Sequence, residues 1–243
     1  MTTKKRLDQF IQEQQPTFSK TQIQSWIMQG KIQVDGTIIT KPGTLISPQA
    51  IIHYNIEQPK YVSRAGFKLE KALDYFTIDV TDLIAMDAGI STGGFTDCLL
   101  QHGAQKVYGI DVGYGQVHEK IRNDPRVILK ERTNLRLLTN FPEVVDIVTL
   151  DLSFISVLKV MDAINGILKP GGILIVLIKP QFEARKDQVG AGGIIKDEAI
   201  HAQVVERVKK GIEEYGYTCH GIIDSPITGT MGNKEFLAYF IRN

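Results

Sequence analysis

Asp87-Ala88-Gly89-Ile90-Ser91-Thr92-Gly93-Gly94-Phe95 is a glycine-rich turn between an apolar run, Leu83 to Met86, and a helical segment, Phe95 to His102, that Gly103 ends. A strand leading through such a turn into a helix is where open α/β sheets hold ligands, outside the carboxyl ends of their strands. Gly89, Gly93 and Gly94 let backbone N–H groups approach a ligand, and the helix start favours an anionic group such as a carboxylate. Ser91, Thr92 and Phe95 belong to the same expected binding turn. The spacing is G-x-x-x-G-G, whereas dinucleotide folds use G-x-G-x-x-G, so the pyrophosphate cradle is missing and a methionine tail fits.

Asp111 stands 24 residues after Asp87 and closes the next strand, Lys106 to Val112. A carboxylate there accepts hydrogen bonds from both hydroxyls of a nucleoside ribose, so Asp87 and Asp111 are expected to bracket a cofactor. Position alone leaves adenosylmethionine and nicotinamide chemistry both open.

Outward from this turn, helices and strands alternate as in a parallel α/β sheet. Leu69, Ala72, Leu73 and Phe76 form one helical face before it. After it come strands at Val127 to Lys130, Asp146 to Leu150 and Gly172 to Ile178, with an amphipathic helix over Val157 to Leu168. Ile200, Val204, Val205, Val208 and Ile212 mark the last long helix, and Tyr217 to Asp224 and Glu235 to Arg242 supply two final strands. Seven strands result, which predicts a Rossmann-like α/β domain with a mostly parallel sheet. The glycine-rich Val189-Gly190-Ala191-Gly192-Gly193 is a candidate lid or simple turn.

The first sixty residues read differently. Leu7, Phe10 and Ile11 have helical spacing, and Ser19 caps a second helix through Ile23, Trp26 and Ile27 that Gly30 ends. Lys31 to Ile39 is a hairpin turning at Asp35-Gly36, and Ile51 to Ile56 is one more strand. Glu57 to Val62 is a proline-containing connection, so the expected domains are a small α+β unit, residues 1–58, and the α/β domain, residues 59–243. Residues 1–60 carry seven Lys/Arg against four Asp/Glu, whereas the remainder carries 21 against 23. A basic appendage on a neutral domain is compatible with nucleic-acid binding.

With 43% hydrophobic and 23% charged residues the chain has the composition of a folded globular protein, which excludes a disordered or fibrous one. The longest aliphatic run, Ile173 to Ile178, is far short of the roughly 20 residues of a membrane span. No apolar segment follows Lys4-Lys5-Arg6, so a cytoplasmic location is expected. Cys98 and Cys219 lack ligand or disulfide spacing; neither a metal nor a disulfide is expected.

Two further positions carry chemistry. Asp151 ends one strand in Leu150-Asp151-Leu152-Ser153-Phe154, and Lys179 ends the adjacent one in Ile178-Lys179-Pro180-Gln181-Phe182. Both point into one cleft, and a lysine at the end of a buried strand needs a carboxylate nearby, for which Asp151 is the candidate.

The N-terminal residues Arg6-Leu7-Asp8, Ser19-Lys20, Gly30-Lys31-Ile32, Val34-Asp35-Gly36 and Lys41-Pro42-Gly43 resemble the small RNA-binding domain of a small-subunit ribosomal protein, pseudouridine synthases and tyrosyl-tRNA synthetases. Five further motifs, in order, resemble the TlyA (hemolysin A) family, an RNA-binding domain fused to an FtsJ-like methyltransferase. They are Tyr61-Val62-Ser63-Arg64-Ala65-Gly66-Phe67-Lys68-Leu69, the turn at residues 91–97, Asp111 to Gln116, Asp151 to Ser156 and Lys179 to Glu183. Family members often carry glycine at the position of Ala65.

The resemblance implies a Lys-Asp-Lys-Glu tetrad, here Lys68, Asp151, Lys179 and Glu235 in Asn233-Lys234-Glu235-Phe236, with S-adenosylmethionine as cofactor. Asn134 and Asp151 join the cofactor-binding set, and Arg6, Lys20, Lys31 and Arg64 are the expected RNA contacts. The implied reaction is 2′-O-methylation of ribosomal RNA, on a cytidine ribose, in free RNA or ribosomal subunits. Lys179 is the expected proton acceptor, which requires it to shed its own proton through desolvation and the neighbouring cation Lys68; Asp151 opposes that loss and orients Lys179, while Glu235 holds Lys68. The competing readings are a non-catalytic RNA-binding ribosome-assembly factor and a membrane-active hemolysin. The sequence sets no oligomeric state.

Overall fold

The computed structural model describes residues 4–56 and 59–243, which form two compact units, Met1–Pro59 and Lys60–Asn243. The first runs β1 (Lys5–Arg6), α1 (Leu7–Gln14), α2 (Lys20–Met28), β2 (Ile32–Val34), β3 (Thr37–Ile38), β4 (Leu45–Ile46) and β5 (Ile52–Tyr54). Ser19 and Gln22 close a reciprocal capping box at the start of α2. Asp35 and Gly36 take positive φ, 49° and 80°, as the tight turn between β2 and β3 requires. Leu7, Phe10, Ile11, Ile23, Ile27 and Ile32 pack as one core. The antiparallel β1–β4 ladder has no signature in the sequence, because two-residue strands show no periodicity.

The second unit continues with α3 (Gly66–Phe76), β6 (Ile84–Ala88), α4 (Gly94–Gln101), β7 (Lys106–Ile110), α5 (Glu119–Arg122), β8 (Val127–Lys130) and β9 (Val145–Leu150). It closes with α6 (Met161–Ile167), β10 (Leu168–Ile178), α7 (Pro180–Glu183), α8 (Glu198–Glu213), β11 (Tyr217–Asp224) and β12 (Phe236–Arg242). Seven strands form one sheet in the order β11-β12-β10-β9-β6-β7-β8. The five from β10 to β8 are parallel, and β12 runs antiparallel to both β10 and β11.

Strands buried on both faces need apolar side chains at every position, and the two-residue period sorts them by face. Leu174, Val176 and Ile178 of β10 join Met161 and Ile164 of α6 and Val204 and Val208 of α8 in one core layer. Ile175 and Leu177 point the other way, to Leu69 and Leu73 of α3 and to Phe95 and Leu99 of α4. Helices on both faces leave the carboxyl ends of β6, β7, β9 and β10 as the exposed rim where a site is built.

The helix expected over Val157 to Leu168 is shorter than its pattern. Residues 157–160 form a 3₁₀ turn and only Met161–Ile167 is α-helical. Leu168 already pairs with Val145, and Pro170 forces the residue before it away from helical geometry, so β10 starts four residues earlier than Gly172. Among the described residues no helix is long and apolar enough to cross a membrane.

Candidate active site

β6 is the strand from which the chain winds outward both ways, to β7 on one side and β9 on the other, so the crevice above it is the sheet's switch point. A cavity of about 370 Å³ lies there, within the size range of small-molecule sites. Gly89 and Ser91 line it from the turn after β6, Asp111 and Val112 from the end of β7, and Asp151 to Ile155 from the end of β9. Asn134 and Arg136 close it from a short 3₁₀ turn, which the Asn134 side chain caps by accepting from Arg136 N at 3.1 Å.

Asp111 is fixed from both sides: its Oδ2 accepts from Ser91 N at 2.8 Å and its Oδ1 from Gly113 N at 2.7 Å. Each oxygen keeps a lone pair for a ribose hydroxyl. Val112, 71% exposed, offers an apolar surface beside it for a flat base. A carboxylate, an amide and an apolar face around one cavity fit the nucleoside half of S-adenosylmethionine.

The glycines of the turn also let protein segments meet, and Gly89 lines the cavity as well. A Cβ on Gly93 would meet the Ile121 side chain of α5, and one on Gly94 would collide with the Ser63 hydroxyl and the Gly66 backbone. A Cβ on Gly89 would strike the carbonyl of Asp151, where the ends of the paired strands β6 and β9 lie side by side. Thr92, Gly93, Gly94 and Phe95 do not line the cavity; Thr92 O accepts from His118 N, and Phe95 is buried in the core.

Asp87, expected to bracket the cofactor, is buried and does not line the cavity. Its carboxyl is buried under the turn, with Oδ2 accepting from Thr96 N at 3.0 Å and Thr96 Oγ1 at 2.7 Å, and Oδ1 from Thr149 Oγ1 at 3.2 Å. Desolvation pushes its pKa up to about 7, with the Asp151 carboxylate adding to the rise and the Thr96 and Thr149 bonds opposing it. The folded carboxyl therefore keeps its proton to a higher pH than the unfolded one. The stability linked to that proton is complete below the ordinary value of 3.8 and fades as pH rises through about 7. Asp87→Asn mimics the protonated acid, so thermal melts are expected to show the variant gaining on the wild type between about pH 5 and about pH 8. An equal offset at both pH values would mean that Asp87 is ionised throughout.

Two lysine–carboxylate pairs stand at the same end of the sheet. Lys179 Nζ lies 2.6 Å from Asp151 Oδ1 and donates to Ser153 Oγ at 3.0 Å. Lys68, on α3, donates to Glu235 Oε2 at 2.6 Å, and both side chains are buried. Phe236 pairs with Ile178 across β12 and β10, which brings Glu235 beside Lys179 along the rim. All four tetrad positions are thus at the carboxyl ends of the parallel strands or on the helix packed against them.

Phe154 stands in the motif Leu150 to Phe154, whose pattern assigns it no role. It is 90% exposed and its ring lies 5.0 Å from that of Phe182. A second hollow, of about 500 Å³, is lined by Phe154, Gln181, Phe182, Ala184, Lys186 and Val189, so Phe154 borders both. The candidate lid beyond it is fastened: Asn233 Oδ1 accepts from Ile195 N at 3.0 Å and its Nδ2 donates to Gly193 O at 2.9 Å.

The expected RNA contacts fall in both units, Arg6, Lys20 and Lys31 in the first and Arg64 in the second. Arg6 is tied to the buried Asp8 through two hydrogen bonds, 3.0 and 2.8 Å, and its guanidinium holds the Asp8 carboxyl down at about 2. Lys20 starts α2 and Lys31 precedes β2, and among the described residues neither forms an ion pair. Arg64 belongs to the second unit, exposed just before α3.

Comparison with known proteins places this geometry in a family. The model of the FtsJ-like methyltransferases matches residues 61–242, and that of the S4 domain matches residues 5–52. The 16S/23S rRNA (cytidine-2′-O)-methyltransferase TlyA of Mycobacterium tuberculosis is 39% identical over 98% of this chain and 90% of its own length. Hemolysin A of Brachyspira hyodysenteriae is 40% identical over 97% of this chain and 99% of its own. A solved Streptococcus thermophilus structure, provisionally named a hemolysin, superimposes with a TM-score of 0.75 at 38% identity, covering 100% of this chain and 90% of that one. The chain is a member of the TlyA and hemolysin A family, with an S4 domain ahead of an FtsJ-like methyltransferase domain.

Proposed function

We propose that this chain transfers the methyl group of S-adenosylmethionine to a ribose 2′-hydroxyl of ribosomal RNA, on a cytidine, in the cytoplasm. The observation that carries the reading is the Asp151–Lys179 pair at the rim of the nucleoside-sized cavity, with the buried Lys68–Glu235 pair behind it. Such an arrangement suits a reaction in which one weak nucleophile must be aligned and relieved of one proton. The sulfonium cofactor supplies an already activated methyl group. Asp111 and Asn134 would hold its nucleoside half, Asp151 and Lys179 would receive the hydroxyl, and Lys179, once its own ammonium proton has passed to solvent, would take the hydroxyl proton. The relatives' printed activity supports rRNA and cytidine as substrate.

Phe154 is the residue on which a base turned out of its helix would stack, since an exposed ring bordering the cavity costs little to cover and offers a π-face to any base. The test is transfer of labelled methyl from S-adenosylmethionine to purified ribosomal subunits and to naked rRNA. Wild type is expected to label a 2′-oxygen, and Phe154→Ala to lose about 5- to 100-fold in kcat/KM for RNA, the equivalent of a stacked base, with cofactor affinity unchanged. Cofactor binding without label in any rRNA would overturn the substrate, and label on a base would overturn the 2′-hydroxyl.

A further inference from the structure

We propose that Glu183 is a positioning residue for this reaction, holding the loop that carries Phe154 and Ser153 against the turn that carries Lys179 and Phe182. The inference rests on the roles just given to Lys179 and Phe154. Glu183 ends α7, borders neither hollow, and is buried. Its Oε1 accepts from Val157 N at 2.7 Å, and Val157 is the first residue after the loop Asp151 to Ser156. Its Oε2 has no hydrogen-bond partner among the described residues and lies 3.7 Å from the Arg207 guanidinium, which also donates to the Glu183 carbonyl and so ties α7 to α8.

Phe154 shows why such an anchor is required. It adopts φ of 65°, a left-handed conformation that a bulky residue holds only when its surroundings impose it. Its side chain is almost wholly exposed, so its own packing does not supply the constraint. The backbone must be gripped from both ends. At one end Asp151 N donates to Ala88 O at 3.1 Å; at the other Val157 N donates to Glu183. Between them the Ser153 hydroxyl meets Lys179, and Phe154 meets Phe182. Lys179, Phe182 and Glu183 thus present three contacts from one short turn to one short loop, and Glu183 makes the buried one. Burial raises the Glu183 carboxyl above its ordinary range, with the Val157 bond opposing, a cost that this anchoring accounts for.

The test uses the full chain, S-adenosylmethionine and ribosomal subunits. Glu183→Ala is expected to lower kcat/KM for RNA by about tenfold or more, as loss of a buried charge-assisted bond does, with cofactor Kd unchanged. Glu183→Gln keeps an oxygen for Val157 N and is expected to return to within about threefold of wild type. Val157→Pro removes the donor instead, at the first position of a helical turn where proline is tolerated, and is expected to reproduce the loss should Glu183→Ala not fold. In a double-mutant cycle, adding Glu183→Ala to Phe154→Ala is expected to cost less than about threefold, because both act on one contact. Fully additive losses, an equal fall in cofactor binding, or unaffected variants would overturn the inference while leaving a methylating wild type in place. Absence of methyl transfer by the wild type would overturn the proposed function along with it.

Discussion

Replacing Lys179 by alanine is expected to slow methyl transfer by about 10²- to 10⁴-fold, the usual contribution of a positioned acid or base, while cofactor affinity stays within about twofold. Lys179 does not line the cofactor cavity; its ammonium reaches Asp151 and Ser153 at the cavity's edge. The loss should therefore fall on kcat and not on binding of the methyl donor.

The geometry also sharpens which role is tested. Lys68 is held by the buried Glu235 carboxylate 2.6 Å away, and Lys179 by Asp151 at 2.6 Å. Lys179 either accepts the hydroxyl proton, after its own ammonium proton has passed to solvent, or only orients the hydroxyl. Lys179→Arg separates the alternatives, because a guanidinium orients a hydroxyl but does not give up a proton. An arginine variant as slow as the alanine one supports proton acceptance, whereas one within about tenfold of wild type would reduce Lys179 to an orienting group.

What the sequence made legible follows from which interactions are local. The turn after β6, the seven strands and the carboxyl-end location of Asp111, Asp151 and Lys179 are written in periodicity, because strand burial and side-chain alternation act over a few residues. Lys68 and Glu235 are 167 residues apart, and no pattern in the chain pairs them; the family resemblance put them on the page, and only β12 lying beside β10 brings the acid to the rim. The turn's glycines carry two signals at once, because a close approach of protein segments selects for glycine as strongly as a close approach of ligand does. Asp87 is legible as a strand-end carboxylate but its burial is not, because α4 packs over it and Thr96 donates to its oxygen. Phe154 was legible as a letter and not as an exposed ring, since its left-handed backbone comes from tertiary contacts.

The Lys68–Glu235 pair should couple folding to catalysis. Both side chains are nearly inaccessible, at 7% and 3%, so removing one partner leaves the other charged and unpaired in the interior. Lys68→Ala is expected to destabilise the domain by about 3–5 kcal/mol, read as a lower denaturant midpoint, and to abolish methylation. Stability loss alone predicts that any change restoring the fold restores activity. The double variant Lys68→Met/Glu235→Leu tests this, because a well-packed apolar pair of similar volume commonly matches or exceeds a buried ion pair in stability. If the pair positions groups at the site, the double variant should recover most of the lost stability and none of the lost transfer. Recovery of both would reduce the pair to a scaffold element, and the reacting residues would then be Asp151 and Lys179 alone.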